Sequence, residues 1–159
     1  MKRIAKFEKI SIQNFLASTT YGESCYGEYS LPRRATSGSA GYDFFAVVDF
    51  SLAPGETITI PTGVRANIDE GWVLKIYPRS SLGFKYRATL NNTVGIIDSD
   101  YYYSDNEGHI FVRMTNLGDK VMDVKKGQGF AQGIFVEYGI TYDDDVTDTR
   151  NGGFGSTNK

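Results

Sequence analysis

The chain is short of several things, and each shortage closes off a class of function. Cys25 is its one cysteine, so no disulfide can form within the chain, and a reducing compartment is expected. The surrounding GESCYGE offers no base or cation, which reads as an incidental thiol rather than a nucleophile. His109 is the one histidine. A zinc site built on several histidines is thereby excluded, and any Ser-His-Asp triad would have to use this imidazole. Because His109 follows a glycine at a strand start, a solvated position is expected for it. There is no basic excess, the formal net charge being −2, so nucleic acid is not expected as a partner. No apolar run approaches the ~18 residues that a membrane span needs. The opening residues, MKRIAKFEKI, are too charged for the core of a secretory signal. A cytoplasmic protein without membrane contact is the expectation.

Aromatic residues make up 14% of the chain, and there are 18 glycines but only 4 prolines. That mixture suits many short strands joined by tight turns. Residues 4 to 10 read as a first strand, and Ile12, Phe15 and Leu16 fall at helical spacing after Ser11, a good N-cap. Residues 20 to 38 read as extended coil. Strands dominate from there: FFAVVDFSL, ETITIP, VRANI, WVLKIYP, VMDV and FAQGIFVEY, separated by turns such as Pro54-Gly55 and Lys125-Lys126-Gly127. Strands this short and this evenly spaced indicate a sandwich, jelly roll or barrel.

The stretch from Asn91 to Asn116 reads as two strands joined by a long polar hairpin. In its second half Ile110, Val112 and Met114 alternate with Phe111, Arg113 and Thr115. Where the first half ends, Asp98, Asp100 and Tyr101 stand close together. They read either as a base beside a ring-binding surface or as an ordinary turn. Two further segments carry polar groups: GSAGYDFFA, with Asp43, and YPRSSLGFK, whose Arg79, Ser80 and Ser81 are donors suited to phosphate. The acidic DDDVTD then leads into RNGGFGSTNK, which reads either as a frayed end or as an arm that closes on a ligand.

AGYD, PRSSL, VGIIDSDY, GQGFAQ and GGFGST resemble, in the same order, the five motifs of the trimeric dUTP diphosphatases (dUTPases). The resemblance spans roughly residues 32 to 158. It implies an all-β fold, a distorted jelly-roll barrel over residues 1–142, with an acidic linker and flexible glycine-rich arm at 143–159 that closes over the site. It also implies a homotrimer whose active sites are shared between chains. The implied reaction is Mg²⁺-dependent hydrolysis of dUTP to dUMP and pyrophosphate, which limits uracil incorporation into DNA and supplies dUMP for thymidylate synthesis.

Residue by residue, the resemblance gives Asp98 the role of activating water. Asn92 and the backbone around Gly95 match uracil-recognition elements, and Tyr101 matches the ring packed on deoxyribose. Arg79, Ser80, Ser81 and Gln132 match the phosphate-binding set, and Asp43 an aspartate that meets the metal through water. In the tail Phe154 matches the aromatic that covers uracil, and Arg150, Gly155, Ser156 and Thr157 the remaining substrate contacts.

Three features depart from the family pattern. YYSDNE lies between Tyr101 and Gly108, where the family has a shorter link; Gly129 stands where arginine is common; and Asn151 alone separates Arg150 from GGF. The alternatives are a dCTP deaminase of the same fold, which shares RSSL but not Asp98-Ser99-Asp100-Tyr101, and a non-catalytic regulatory protein on this fold.

Overall fold

The computed structural model describes residues 1–150. Its strands, in chain order, are β1 (Ala5–Lys9), β2 (Arg33–Arg34), β3 (Tyr42–Phe45), β4 (Phe50–Leu52), β5 (Thr57–Pro61), β6 (Val64–Ile68), β7 (Trp72–Pro78), β8 (Ala88–Leu90), β9 (Gly95–Ile97), β10 (Phe111–Asn116), β11 (Met122–Val124) and β12 (Gly129–Glu137). Three short helices interrupt them: α1 (Ile12–Ser18), α2 (Glu23–Glu28) and α3 (Ser80–Tyr86), with a 3-10 turn over Ser99–Tyr103. A five-stranded sheet runs β2-β3-β12-β7-β9, a three-stranded sheet runs β5-β10-β8, and β1-β6 and β11-β4 form two smaller pairs. Partners distant in sequence, all antiparallel, are the mark of a jelly-roll-type β fold. Among the described residues no helix is long and apolar enough to cross a membrane.

Alternation builds the core. On β10, Val112 and Met114 point inward with Ile110 just before them, all essentially buried, while Arg113 faces out. Phe15, Phe44 and Phe130 are fully buried, and each such side chain contributes about 1.5–3 kcal/mol when removed from water. Phe15 reaches the core from α1, stacking on Tyr29 at 5.5 Å, and Ser11 does cap that helix by accepting from Asn14 N–H at 3.1 Å.

Four expectations need correction. Residues 20 to 38 are not simply coil, since they contain α2 and β2. FFAVVDFSL is not one strand: β3 pairs with β12 and β4 with β11, so the chain changes sheets at the buried Ala46 and Val47. The Asn91–Asn116 stretch is not a paired hairpin, because β9 pairs with β7 whereas β10 pairs with β5 and β8. Its connection crosses between sheets and makes the wall of a cavity. Finally, His109 is not solvated but fully buried.

Candidate active site

The candidate site residues fall into two groups. The first lines a cavity of about 410 Å³ between β8, β9 and β10, within the size range of small-ligand sites. Asn92, Gly95, Asp98, Tyr101 and Arg150 all face it, joined by Phe111 and Arg113 from the outer face of β10. Sequence reading missed that last pair as site residues, although the alternation of β10 had already set them on the face opposite the core. Glycine at position 95 fits a close approach: a Cβ there would lie 3.1 Å from Ile76 Cβ.

Asp98 follows β9 and is the N-cap of the 3-10 turn. Its Oδ2 accepts from Arg150 Nη2 at 2.7 Å, while Arg150 Nε donates to Asp100 Oδ1 at 3.0 Å. Both carboxylate side chains are about half exposed, at 49% and 54%. Pairs with carboxylates so exposed are worth about 0–1 kcal/mol. The Arg150 guanidinium also stands 5.7 Å from the centre of the Tyr101 ring. Tyr101 is buried, and its hydroxyl donates to the His109 carbonyl at 2.8 Å and accepts from Asn106 Nδ2 at 2.9 Å. Burial pushes that phenol above its ordinary pKa, which keeps the donor protonated.

His109 supports this cavity from behind. Its Nε2 accepts from Gly63 N–H at 2.9 Å, and Nδ1 lies 3.2 Å from Ser18 Oγ. Ser18 spends its own proton on Asn14 O, so Nδ1 carries the imidazole proton and the ring is neutral. Burial lowers its pKa from 6.5 to about 4, against a smaller opposing pull from Glu107. The ring also packs on Phe111, centroids 4.1 Å apart.

The second group lies on the far side of the five-stranded sheet. Asp43 on β3 sits directly opposite Gln132 on β12, so both side chains share one face. Arg79 caps α3, and Ser80 and Ser81 open its first turn, where backbone N–H groups lack intrahelical partners. Asp43, Arg79, Ser80, Ser81 and Gln132 together line one open recess, with Arg79 Nε 3.3 Å from Asp43 Oδ1. Two glycines make room for this layer. A Cβ at Gly41 would lie 2.6 Å from Gln132 Oε1, and one at Gly129 would lie 2.8 Å from Arg79 Nη1. At the Gly129 departure, a side chain would have to displace the Arg79 guanidinium that lies over it.

Among the described residues, the two linings share none. Asp98 lies one residue past the Leu74–Ile97 pair, level with Val73, whereas Gln132 lies level with Tyr77. That offset is about 13 Å along β7, and the three strand spacings from β9 to β3 add about 14 Å across it, so Asp98 and Asp43 stand roughly 20 Å apart in one chain. Phe154, Gly155, Ser156 and Thr157 lie outside the described residues. Among the described residues there is no group of three or more His, Cys, Asp or Glu side chains that could hold a metal by themselves.

The jelly-roll fold thus presents an aspartate and a buried tyrosine in one cavity and an arginine–serine–glutamine recess elsewhere, donors and a carboxylate of the kind that suit a phosphorylated ligand. The dUTPase family model matches residues 28–158. The deoxyuridine 5'-triphosphate nucleotidohydrolase of Lactococcus lactis subsp. lactis is 44% identical over 131 residues, covering 80% of this chain and 87% of that protein. The crystal structure of the Streptococcus mutans dUTPase superposes with a TM-score of 0.67 at 35% identity, covering 85% of this chain and 97% of that one. A point mutant of the dUTPase from Staphylococcus aureus phage phi11, solved with a coordinated structural Mg(II) ion, shares the fold at a TM-score of 0.66 and 19% identity, over 92% of this chain and 98% of that one. The chain belongs to the dUTPase family.

Proposed function

We propose that the protein hydrolyses dUTP to dUMP and pyrophosphate. The observation that carries the reading is one cavity lined by both Asp98 and the buried Tyr101. Water is a weak nucleophile at neutral pH, and a positioned carboxylate removes its proton as it attacks the α-phosphorus. Asn92 and the backbone around Gly95 pair with uracil, and Tyr101 packs on the sugar, where a 2′-hydroxyl would clash. A site whose polar groups demand particular partners rejects analogues far better than an apolar slot does.

The recess of Arg79, Ser80, Ser81 and Gln132 binds the phosphates, whose developing charge arginine and oriented donors stabilise. Mg²⁺ is an ion that keeps most of its waters, so Asp43 in this recess would suffice to hold it, through water, beside the phosphates. When bound, it neutralises phosphate charge.

The two recesses, far apart in one chain, become one site when the cavity of one chain meets the recess of another in a homotrimer. Phe84 on α3, 92% exposed, and Ile140, Tyr142 and Val146 after β12 leave apolar surface for such contacts. Residues 1–142 form the barrel, and the arm at 143–159 closes over the site. Arg150 there exchanges Asp98 and Asp100 for substrate phosphate, with Phe154, Gly155, Ser156 and Thr157 adding contacts to substrate. The enzyme works in the cytoplasm, where it limits uracil in DNA and supplies dUMP for thymidylate synthesis.

Incubation with Mg²⁺ and dUTP, UTP, dTTP or dCTP, followed by separation of products, tests this. The expected result is dUMP and pyrophosphate from dUTP, with the other three nearly untouched. No product from dUTP, or ammonia from dCTP, contradicts it.

A further inference from the structure

We propose that Asn106 is a positioning residue for sugar selection: it locks the Tyr101 phenol so that the ring face holds the position where a 2′-hydroxyl must clash. The inference rests on the dUTP reading above. Asn106 belongs to the stretch between Tyr101 and Gly108 that lengthens this chain's loop, so the loop acquires a task beyond spanning a gap.

A phenol hydroxyl has one proton to donate and lone pairs to accept. Tyr101 donates to the His109 carbonyl at 2.8 Å and accepts from Asn106 Nδ2 at 2.9 Å. Tethered by one bond, a ring can still swing; two bonds from different residues hold it. Asn106 is itself fixed, with Oδ1 accepting from Gly108 N–H and its carbonyl from His109 N–H, each at 3.1 Å. Gly108 has φ +71°, and a Cβ there would lie 2.7 Å from Tyr102 Cα and 2.8 Å from the Tyr101 carbonyl oxygen. The loop thus folds hard back against the 3-10 turn, where only glycine fits.

The flanking residues are anchored in turn. Glu107 accepts from Ser11 N–H at 2.7 Å and from Ser11 Oγ–H at 2.6 Å, at the start of α1. His109 is held by Gly63 and Ser18. Asn106 therefore sits in a loop whose neighbours on both sides are tied, Glu107 to the start of α1 and His109 to Gly63 and Ser18. Exclusion of one hydroxyl by a wall needs that wall held to within about 0.5 Å.

The test is the ratio of kcat/KM for dUTP to that for UTP in wild type, Asn106→Ala, Tyr101→Phe and the double variant, with circular dichroism and thermal midpoints as folding controls. Asn106→Ala is expected to lower the ratio roughly fivefold, the scale of one lost hydrogen bond, with a larger change in KM for UTP than in kcat for dUTP. Tyr101→Phe keeps the ring but loses both bonds, and is expected to lower the ratio at least as far. The double variant should then match Tyr101→Phe alone, because Asn106 acts through the hydroxyl already removed. An unchanged ratio in Asn106→Ala, or effects that multiply in the double variant, overturns the proposal. If Asn106→Ala does not fold, Tyr101→Phe decides, and an unchanged ratio there is equally fatal. A wild type that hydrolyses neither nucleotide overturns the dUTP reading and this inference with it. Selection by wild type and variants alike overturns only the inference.

Discussion

The cavity around Asp98 and the recess around Arg79 are built in opposite ways. The cavity is enclosed by three strands and a folded-back loop, and its tyrosine is buried and tied at the hydroxyl. The recess is open and polar, and its main pairing is a 3.3 Å ion pair whose arginine side chain is 39% exposed. Rigid walls suit selection of a base and sugar by shape, whereas an exposed guanidinium suits a hydrated triphosphate. On the proposed reading, recognition and charge neutralisation are divided between two regions of the fold, and neither region completes a site alone.

The largest expected effect comes from the cavity. Asp98→Asn should keep substrate binding but lower kcat by about a thousandfold, the scale of a lost general base. Near-normal turnover in that variant, by pyrophosphate release, would remove Asp98 from the chemistry. In the recess, Arg79→Ala should lower kcat/KM by about a hundredfold through lost transition-state stabilisation, while leaving base selectivity intact. If selectivity among dUTP, dTTP and dCTP collapsed as well, the two regions would not be separable.

A smaller effect concerns the cavity's support. The folded pKa of His109, about 4, lies below its ordinary 6.5, so the folded state binds fewer protons than the unfolded one. Its contribution is fully present above pH 6.5 and is lost as pH falls toward 4, by about 1.4 kcal/mol per pH unit. His109→Gln should flatten that slope in urea unfolding measured across this range at fixed protein concentration; an unaltered slope would put the titration elsewhere. The smallest effect is expected at Arg150, whose half-exposed pairs are weak. Arg150→Ala should raise KM for dUTP several-fold, about 1 kcal/mol of lost binding, with the fold unaffected. No change in KM would leave Arg150 a partner of Asp98 and Asp100 alone.

The alternation on β10 was legible because its period of two separates Ile110, Val112 and Met114 from Arg113 without reference to any partner strand. The five ordered motifs likewise singled out Asp43, Arg79, Asp98 and Gln132, the first, second and fourth of which share one recess. Pairing was not legible, because register between β9 and β7 depends on side chains remote in sequence. Helix α3 was missed because SSLGFKY mixes glycine and aromatics of modest helix propensity. His109 misled for a related reason: glycine before it suggested an exposed turn, whereas the loop folds inward and Gly63 and Ser18 satisfy both ring nitrogens. Nothing local to GHIF signals those partners.

The most direct test of a divided site mixes two disabled chains. Asp98→Asn and Arg79→Ala proteins, each nearly inactive alone, are unfolded, combined in equal amounts, refolded together and assayed with dUTP. If the cavity of one chain works with the recess of another, mixed trimers regain sites that carry both intact residues, and activity should recover to about a quarter of wild type by random assembly. Activity no greater than the sum of the two variants, in a mixture shown to contain mixed trimers, would contradict the account.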